Sequence, residues 1–305
     1  MEGGSMRSGR RALWAVSLLA LAVAAVVAAP PRAQADDAYP KEFLWTSVDE
    51  YDSNGCQLWD CEWYDFVANL RSVLQTSGGW QSCCGLRDAS VTSGQIDEAG
   101  LNIMDDGDLS IWTGHAYLSA NDPDYGNRLH MASQHDLHPP DCEDDRDCGN
   151  IAHDEVWLGA SDNEVAIFVT CEWLRNYNNE NRVNAIKIMH HGNHLILSFA
   201  TDSYWNARDA GAGTRLGENF LGVAPNRNPR PIEEAWREAC DWWQPAGTIA
   251  RVHLWAGDCY NDYLQGNWRG WGYGAQPPSA AGHLGEFGMI SEVCGNGLDP
   301  RKIVY

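Results

Sequence analysis

The sequence predicts an α/β chain built on a doubly wound, mostly parallel sheet with helices on both faces. Two apolar runs carry that reading, Leu109-Ser110-Ile111-Trp112-Thr113-Gly114-His115 and Val165-Ala166-Ile167-Phe168-Val169-Thr170-Cys171. Each is of strand length, rich in β-branched and aromatic residues, preceded by turn formers and closed by a residue capable of chemistry. Strand-like and helix-like segments also alternate along the chain, which is the pattern of crossover-connected parallel strands.

Taken in order, Glu42 to Val48 reads as the first strand. Asp60 to Gln75 follows as an amphipathic helix, with Trp63, Phe66, Val67, Leu70, Val73 and Leu74 near helical spacing and Gly78-Gly79 ending it. The stretch from Trp80 to Leu101 is polar and Gly-interrupted, with room for one short strand. After the His-bearing strand, residues 116 to 155 hold no sustained apolar period and read as a long acidic surface loop. Beyond Cys171, Glu172 to Tyr177 and Arg182 to His191 read as helical, and His194 to Ala200 as another strand. Residues 206 to 231 are rich in Gly, Asn, Arg and Pro and suggest no element. Pro231 opens a helix with Glu233 and Glu234 in its first turn, and Thr248 to Trp255 is the last clear strand.

The N-terminus carries Arg7, Arg10 and Arg11, an apolar stretch from Ala12 to Ala29, and Ala33-Gln34-Ala35. Residues 1–35 therefore read as an export signal cleaved before Asp36, leaving residues 36–305 as one domain without stable membrane insertion. Cleavage removes four arginines and one glutamate, taking the net charge from -21 to -24. So acidic a chain is a poor partner for nucleic acid or anionic membranes.

Ten cysteines in an exported chain suggest a disulfide framework. Cys142 and Cys148, which bracket an acidic loop, are expected to be bridged. Cys56, Cys61, Cys83, Cys84, Cys240, Cys259 and Cys294 offer further partners.

If the two apolar runs lie side by side and parallel, His115 and Cys171 emerge together at the carboxyl edge of the sheet, where open α/β folds hold ligands. An imidazole beside a thiol can accept its proton and later protonate a leaving amine, which is the chemistry of acyl-bond hydrolysis. Backbone N–H groups at Gly114 and Cys171 are candidates for the oxyanion site.

The two blocks resemble those of the caspase-like cysteine peptidases of clan CD: caspases, legumains, gingipains, clostripain and separase. In that family one hydrophobic block ends in a His near small residues and a second in the nucleophilic Cys. The interval of 56 residues from His115 to Cys171 is similar to the caspase spacing of about 50. Gly192 to Ala200 and the Ala235-Trp236 helix also resemble an uncharacterised family of exported bacterial caspase-like domains. The resemblance implies a secreted cysteine peptidase acting on peptide or protein substrates, with His115 as base and Cys171 as nucleophile. It also implies an acidic pocket residue selecting a basic side chain, for which Asp202 is the candidate. The chain departs from the family pattern at Ala116, where Gly is usual, and at Glu172-Trp173, where a small or polar residue is common.

Two other readings compete. One is a non-catalytic exported domain in which some of the fifteen tryptophans, with Trp268, Trp271 and Tyr273 foremost, form a platform for a glycan or protein. Trp45, Trp63, Trp112, Trp236 and Trp243 fall instead on faces expected to be buried. The other is a metal hydrolase. No cofactor is required by the dyad, but Zn²⁺ has possible ligands in His190, His191 and His194 or in His130, His135, His138, His153, Asp136 and Asp141, and Ca²⁺ in the carboxylates of 141–147.

Overall fold

The computed structural model describes residues 41–49, 63–96, 101–118, 127–129, 131, 151–152, 155–159, 163–175, 189, 193–204, 207–223, 228–254, 288–294 and 301–304. The expected signal segment, the Cys142–Cys148 bridge, the Trp268 platform and the His-rich and acidic metal candidates, apart from His194, lie outside them. Asp37–Tyr305 group as one compact unit.

The core is an eight-stranded sheet of β1 (Glu42–Ser47), β2 (Gln81–Arg87), β3 (Leu109–Thr113), β7 (Val165–Val169), β8 (Leu195–Phe199), β9 (Ile249–Leu254), β10 (Gly288–Val293) and β11 (Arg301–Val304). Its spatial order is β11-β10-β9-β8-β7-β3-β1-β2. From β2 through β8 every pairing is parallel. The chain winds one way from β1 to β2 and the other way from β3 onward, so the β1/β3 gap is the topological switch point at which such sheets place ligands. The last clear strand of the sequence, β9, runs antiparallel to β8, and the sheet continues through β10 and β11, which the sequence did not suggest.

All five residues of β3, β7 and β8 are buried, as expected for strands covered on both faces. Alternation splits them between two cores. Leu109, Ile111, Val165, Ile167, Leu195 and Leu197 face one layer, while Trp112, Ala166, Phe168 and Ile196 face the other.

Among the described residues, three helices cover the first face: α1 (Trp63–Gly78), α3 (Asp209–Leu221) and α4 (Ile232–Trp243). Helix α1 buries Trp63, Phe66, Val67, Leu70 and Leu74 as its period predicts, and Gly79, at φ +69°, ends it in the left-handed conformation that glycine favours. Helix α4 starts after Pro231, which stands at the cap rather than within the first turn. Its Trp243 stacks on Phe66 at 5.0 Å, and Trp45, Trp63, Trp112 and Trp236 are buried as expected.

Helix α3 occupies the Gly-rich segment from which no element was expected. A Cβ on Gly213 would lie 2.1 Å from the Phe66 carbonyl oxygen, and one on Gly217 would lie 2.9 Å from Val73. These glycines weaken intrinsic helix propensity, but they let the backbones of α3 and α1 meet.

The second face is covered by the short helix α2 (Ser93–Ile96), a 3₁₀ turn at Ile103–Asp105 and a three-stranded antiparallel sheet, β4 (Ala116–Leu118), β5 (Asn127–Leu129) and β6 (Ile151–Ala152). This small sheet corrects the expectation of a plain surface loop over 116–155. Leu129, Met131 and Ile151 are spaced too far apart to give a period, yet they are buried beneath it. A second correction concerns Glu172 to Tyr177, where residues 172–175 form a turn rather than a helix.

Candidate active site

Strands β3 and β7 are neighbours and parallel, with Thr113 opposite Val169. His115 and Cys171 each follow two residues later, so the register delivers both to the same carboxyl edge, beside the switch point. A positive φ adjoins each of them: Gly114 at +155° precedes His115, and Glu172 at +55° follows Cys171. For glutamate that conformation costs about 1–2 kcal/mol. Strain of this kind persists only where surrounding bonds over-determine the backbone.

Such bonds are present around Cys171. The Glu172 N–H donates to the Thr201 carbonyl and the Leu174 N–H to the Phe199 carbonyl, both at 2.9 Å, stitching the turn after β7 to the segment after β8. Arg251, buried on β9, donates from Nη1 to the Leu174 carbonyl and from Nε to Ser291 Oγ. Glu172 also pairs with Arg175. An arginine buried within a strand implies a specific partner, and the Arg251 position in β9 was a sequence signal for this contact.

Cys171 is half-buried and carries a free thiol. Its Sγ donates to the Ser203 carbonyl at 3.5 Å, accepts from the Ser203 N–H at 3.4 Å and lies 3.7 Å from Ser203 Oγ. Burial pushes the thiol pKa above its ordinary 9.0, against the pull of the Ser203 bonds, and the charges of Asp202 and Glu172 add to the rise. The resting sulfur is therefore a neutral thiol that needs a base.

His115 is half-buried at the end of β3. The Gly114 N–H donates to the Val169 carbonyl at 3.3 Å, so in this geometry it is committed to the sheet rather than presented to an oxyanion. Asp202 is exposed and is the residue before Ser203, so its charge lies close to the sulfur.

A polar chain not anticipated from sequence borders this edge. Thr113 Oγ1 donates to Ser47 Oγ at 2.9 Å, and Ser47 Oγ donates to Asp49 Oδ1 at 3.2 Å. Asp49 also accepts from the Tyr64 N–H at 3.1 Å and pairs with Arg87 at 3.1 Å. Burial pushes its carboxyl up to about 6. The one available signal was the change at the end of β1 from apolar residues to Thr46, Ser47 and Asp49.

Among the described residues, no disulfide joins Cys83, Cys84, Cys171, Cys240 or Cys294, so Cys83, Cys84, Cys240 and Cys294 do not form the bridges considered for them. The described residues contain no cluster of three potential metal ligands and no helix long and apolar enough to cross a membrane.

Among solved structures, the chain is similar to the Drosophila initiator caspase Dronc, with a TM-score of 0.33 and 8% sequence identity over 66% of this chain and 72% of that one. No curated protein matches it. A family model does match, over residues 91–281, a span that includes β3, β7, His115 and Cys171. The chain thus belongs to the family described as "Domain of unknown function (DUF6345)".

Proposed function

We propose that this chain is an exported cysteine peptidase of caspase-like architecture, with Cys171 as nucleophile and His115 as general base. The observation that carries this reading is the parallel β3/β7 register, which sets the two residues at equivalent positions on one edge beside the switch point. A free sulfur at Cys171 supports it, since a bridged sulfur could not attack.

Because the resting thiol is neutral, His115 takes its proton as Sγ attacks the peptide carbonyl. The oxyanion is met by the Cys171 N–H, joined by the Gly114 N–H once that group gives up Val169. His115 then protonates the leaving amine, and water, deprotonated by the same imidazole, hydrolyses the Cys171 thioester. Asp202 favours a basic side chain before the scissile bond. The arginine-led apolar N-terminus ending in Ala33-Gln34-Ala35 supports action outside the cytoplasm.

One set of observations favours the competing reading, a non-catalytic binding domain: the thiol is engaged by Ser203 and flanked by two acidic residues that disfavour its ionised form. Incubating the folded chain with a peptide mixture varied at the residue before the cleaved bond separates the two. The peptidase reading requires cleavage, enriched at Lys or Arg, that is lost in both Cys171→Ala and His115→Ala. No cleavage by folded wild-type protein, or cleavage that survives Cys171→Ala, overturns it.

A further inference from the structure

We propose that Cys83 and Cys84, on the sheet edge far along the chain from Cys171, form a dithiol exchange site for small-molecule disulfides. Neighbouring residues in a strand ordinarily point to opposite faces, which would hold two adjacent thiols apart. Here β2 slips by one residue against β1. Phe43 pairs with Ser82 and Leu44 pairs with Cys84, so Cys83 is the extra residue of a bulge. A bulge re-aims side chains, and the two sulfurs come to 3.5 Å from each other.

The surroundings suit exchange rather than structural bridging. Strand β2 is the outermost strand of the sheet, Cys83 is exposed and Cys84 is half-buried, so a small thiol or disulfide can reach them. Gly107, beside Cys83 Sγ, adds no side chain to block it. A ring closed between adjacent residues has Cα atoms only about 3.8 Å apart, below the usual disulfide range of about 4.4–6.8 Å. Such a strained bond forms only against an excess of disulfide and is readily reduced once that excess is removed, which is the property of an exchanging pair. At that distance the S–H of one cysteine can stabilise the thiolate of the other, so either sulfur can attack and its neighbour resolves.

The exchange balances. One thiolate of the pair attacks one sulfur of the incoming disulfide, forms a mixed disulfide and releases one thiol. The other cysteine loses its proton, attacks the bridged protein sulfur and releases the second thiol. The protein loses two protons and two electrons, and the small disulfide becomes two thiols.

Oxidised glutathione is the probe. The folded chain is exposed to it in large excess and without added reduced glutathione, acid-quenched, alkylated without reduction and digested with trypsin. Cleavage after Arg71 and Arg87 isolates residues 72–87, which contain Cys83 and Cys84 and no other cysteine. The expected product is that peptide lighter by two hydrogens, carrying neither alkyl group nor glutathione, and restored by dithiothreitol. In Cys83→Ser, which cannot close the ring, glutathione should remain on Cys84. A wild-type peptide with both thiols alkylated, or with glutathione retained and no ring, overturns the site. So does a Cys83→Ser chain that takes no glutathione at Cys84.

Discussion

The sulfur of Cys171 is held by the backbone of Ser203: it accepts the Ser203 N–H at 3.4 Å and donates to the Ser203 carbonyl at 3.5 Å. The thiol is thus fixed by main-chain groups that no side-chain substitution removes, and the Ser203 hydroxyl at 3.7 Å adds to them. In Ser203→Ala only the hydroxyl is lost. Because that contact lowers the thiol pKa, its loss raises the pKa further. One weak hydrogen bond is worth about 1 kcal/mol, so iodoacetamide should modify Cys171 more slowly at pH 8, by up to about fivefold.

Asp202 works in the opposite direction. Its charge favours the protonated thiol, so Asp202→Asn should lower the Cys171 pKa and raise the thiolate fraction at any pH below it. The alkylation rate plotted against pH should move to lower pH by a fraction of a unit, since Asp202 is exposed and screened. The same variant should lose preference for Lys or Arg in the peptide mixture.

Asp49 gives a stability signature. Its carboxyl titrates at about 6 in the folded chain against an ordinary 3.8, because burial outweighs the Arg87 guanidinium. Between those values the unfolded chain has released the proton and the folded chain still holds it. Stability is therefore highest below about pH 4 on this group's account and falls as pH rises to about 6, by at most roughly 3 kcal/mol. Urea midpoints measured in steps across that window should converge on pH-independence for this component in Asp49→Asn, while wild type keeps the downward slope.

Gly213 tests the packing of α3 on α1. A methyl group there meets the Phe66 carbonyl oxygen at 2.1 Å and the Leu70 nitrogen at 3.0 Å, and neither backbone atom can move aside cheaply. Gly213→Ala should cost about 1–3 kcal/mol despite alanine's better helix propensity. Gly94→Ala, in open space on α2, should leave Tm unchanged or raise it. Thermal unfolding of the two variants side by side checks both.

The elements legible in the sequence were those whose burial sets a period. Strands β1, β3, β7 and β8 are apolar runs, and α1 and α4 repeat their buried residues every three or four positions. Helix α3 escaped notice because its glycines answer to the backbone of α1, a partner more than a hundred residues away in the chain. Strand β2, Gln81–Arg87, alternates between exposed and half-exposed residues and buries none, so the sequence showed only room for one short strand there. The antiparallel sense of β9 depends on its connection to β8 and leaves no mark in its own residues. At the candidate site, His115 and Cys171 were legible as the ends of two buried runs. Ser203 was not, because it meets the sulfur mainly through main-chain atoms that every residue possesses. Glu172 and its neighbours have helix-forming side chains, yet bonds to Thr201 and Phe199 hold them in a turn.

The pairing of His115 with Cys171 is tested most directly by the rate at which iodoacetamide modifies Cys171 in the folded, unreduced chain at pH 7, located by peptide mapping, in wild type and in His115→Gln. A working base at His115 predicts modification of Cys171 in wild type, parallel loss of peptide hydrolysis, and at least about a tenfold slower reaction at Cys171 in the variant. Equal rates in the two chains, or a Cys171 that resists modification while hydrolysis continues, would contradict the pairing.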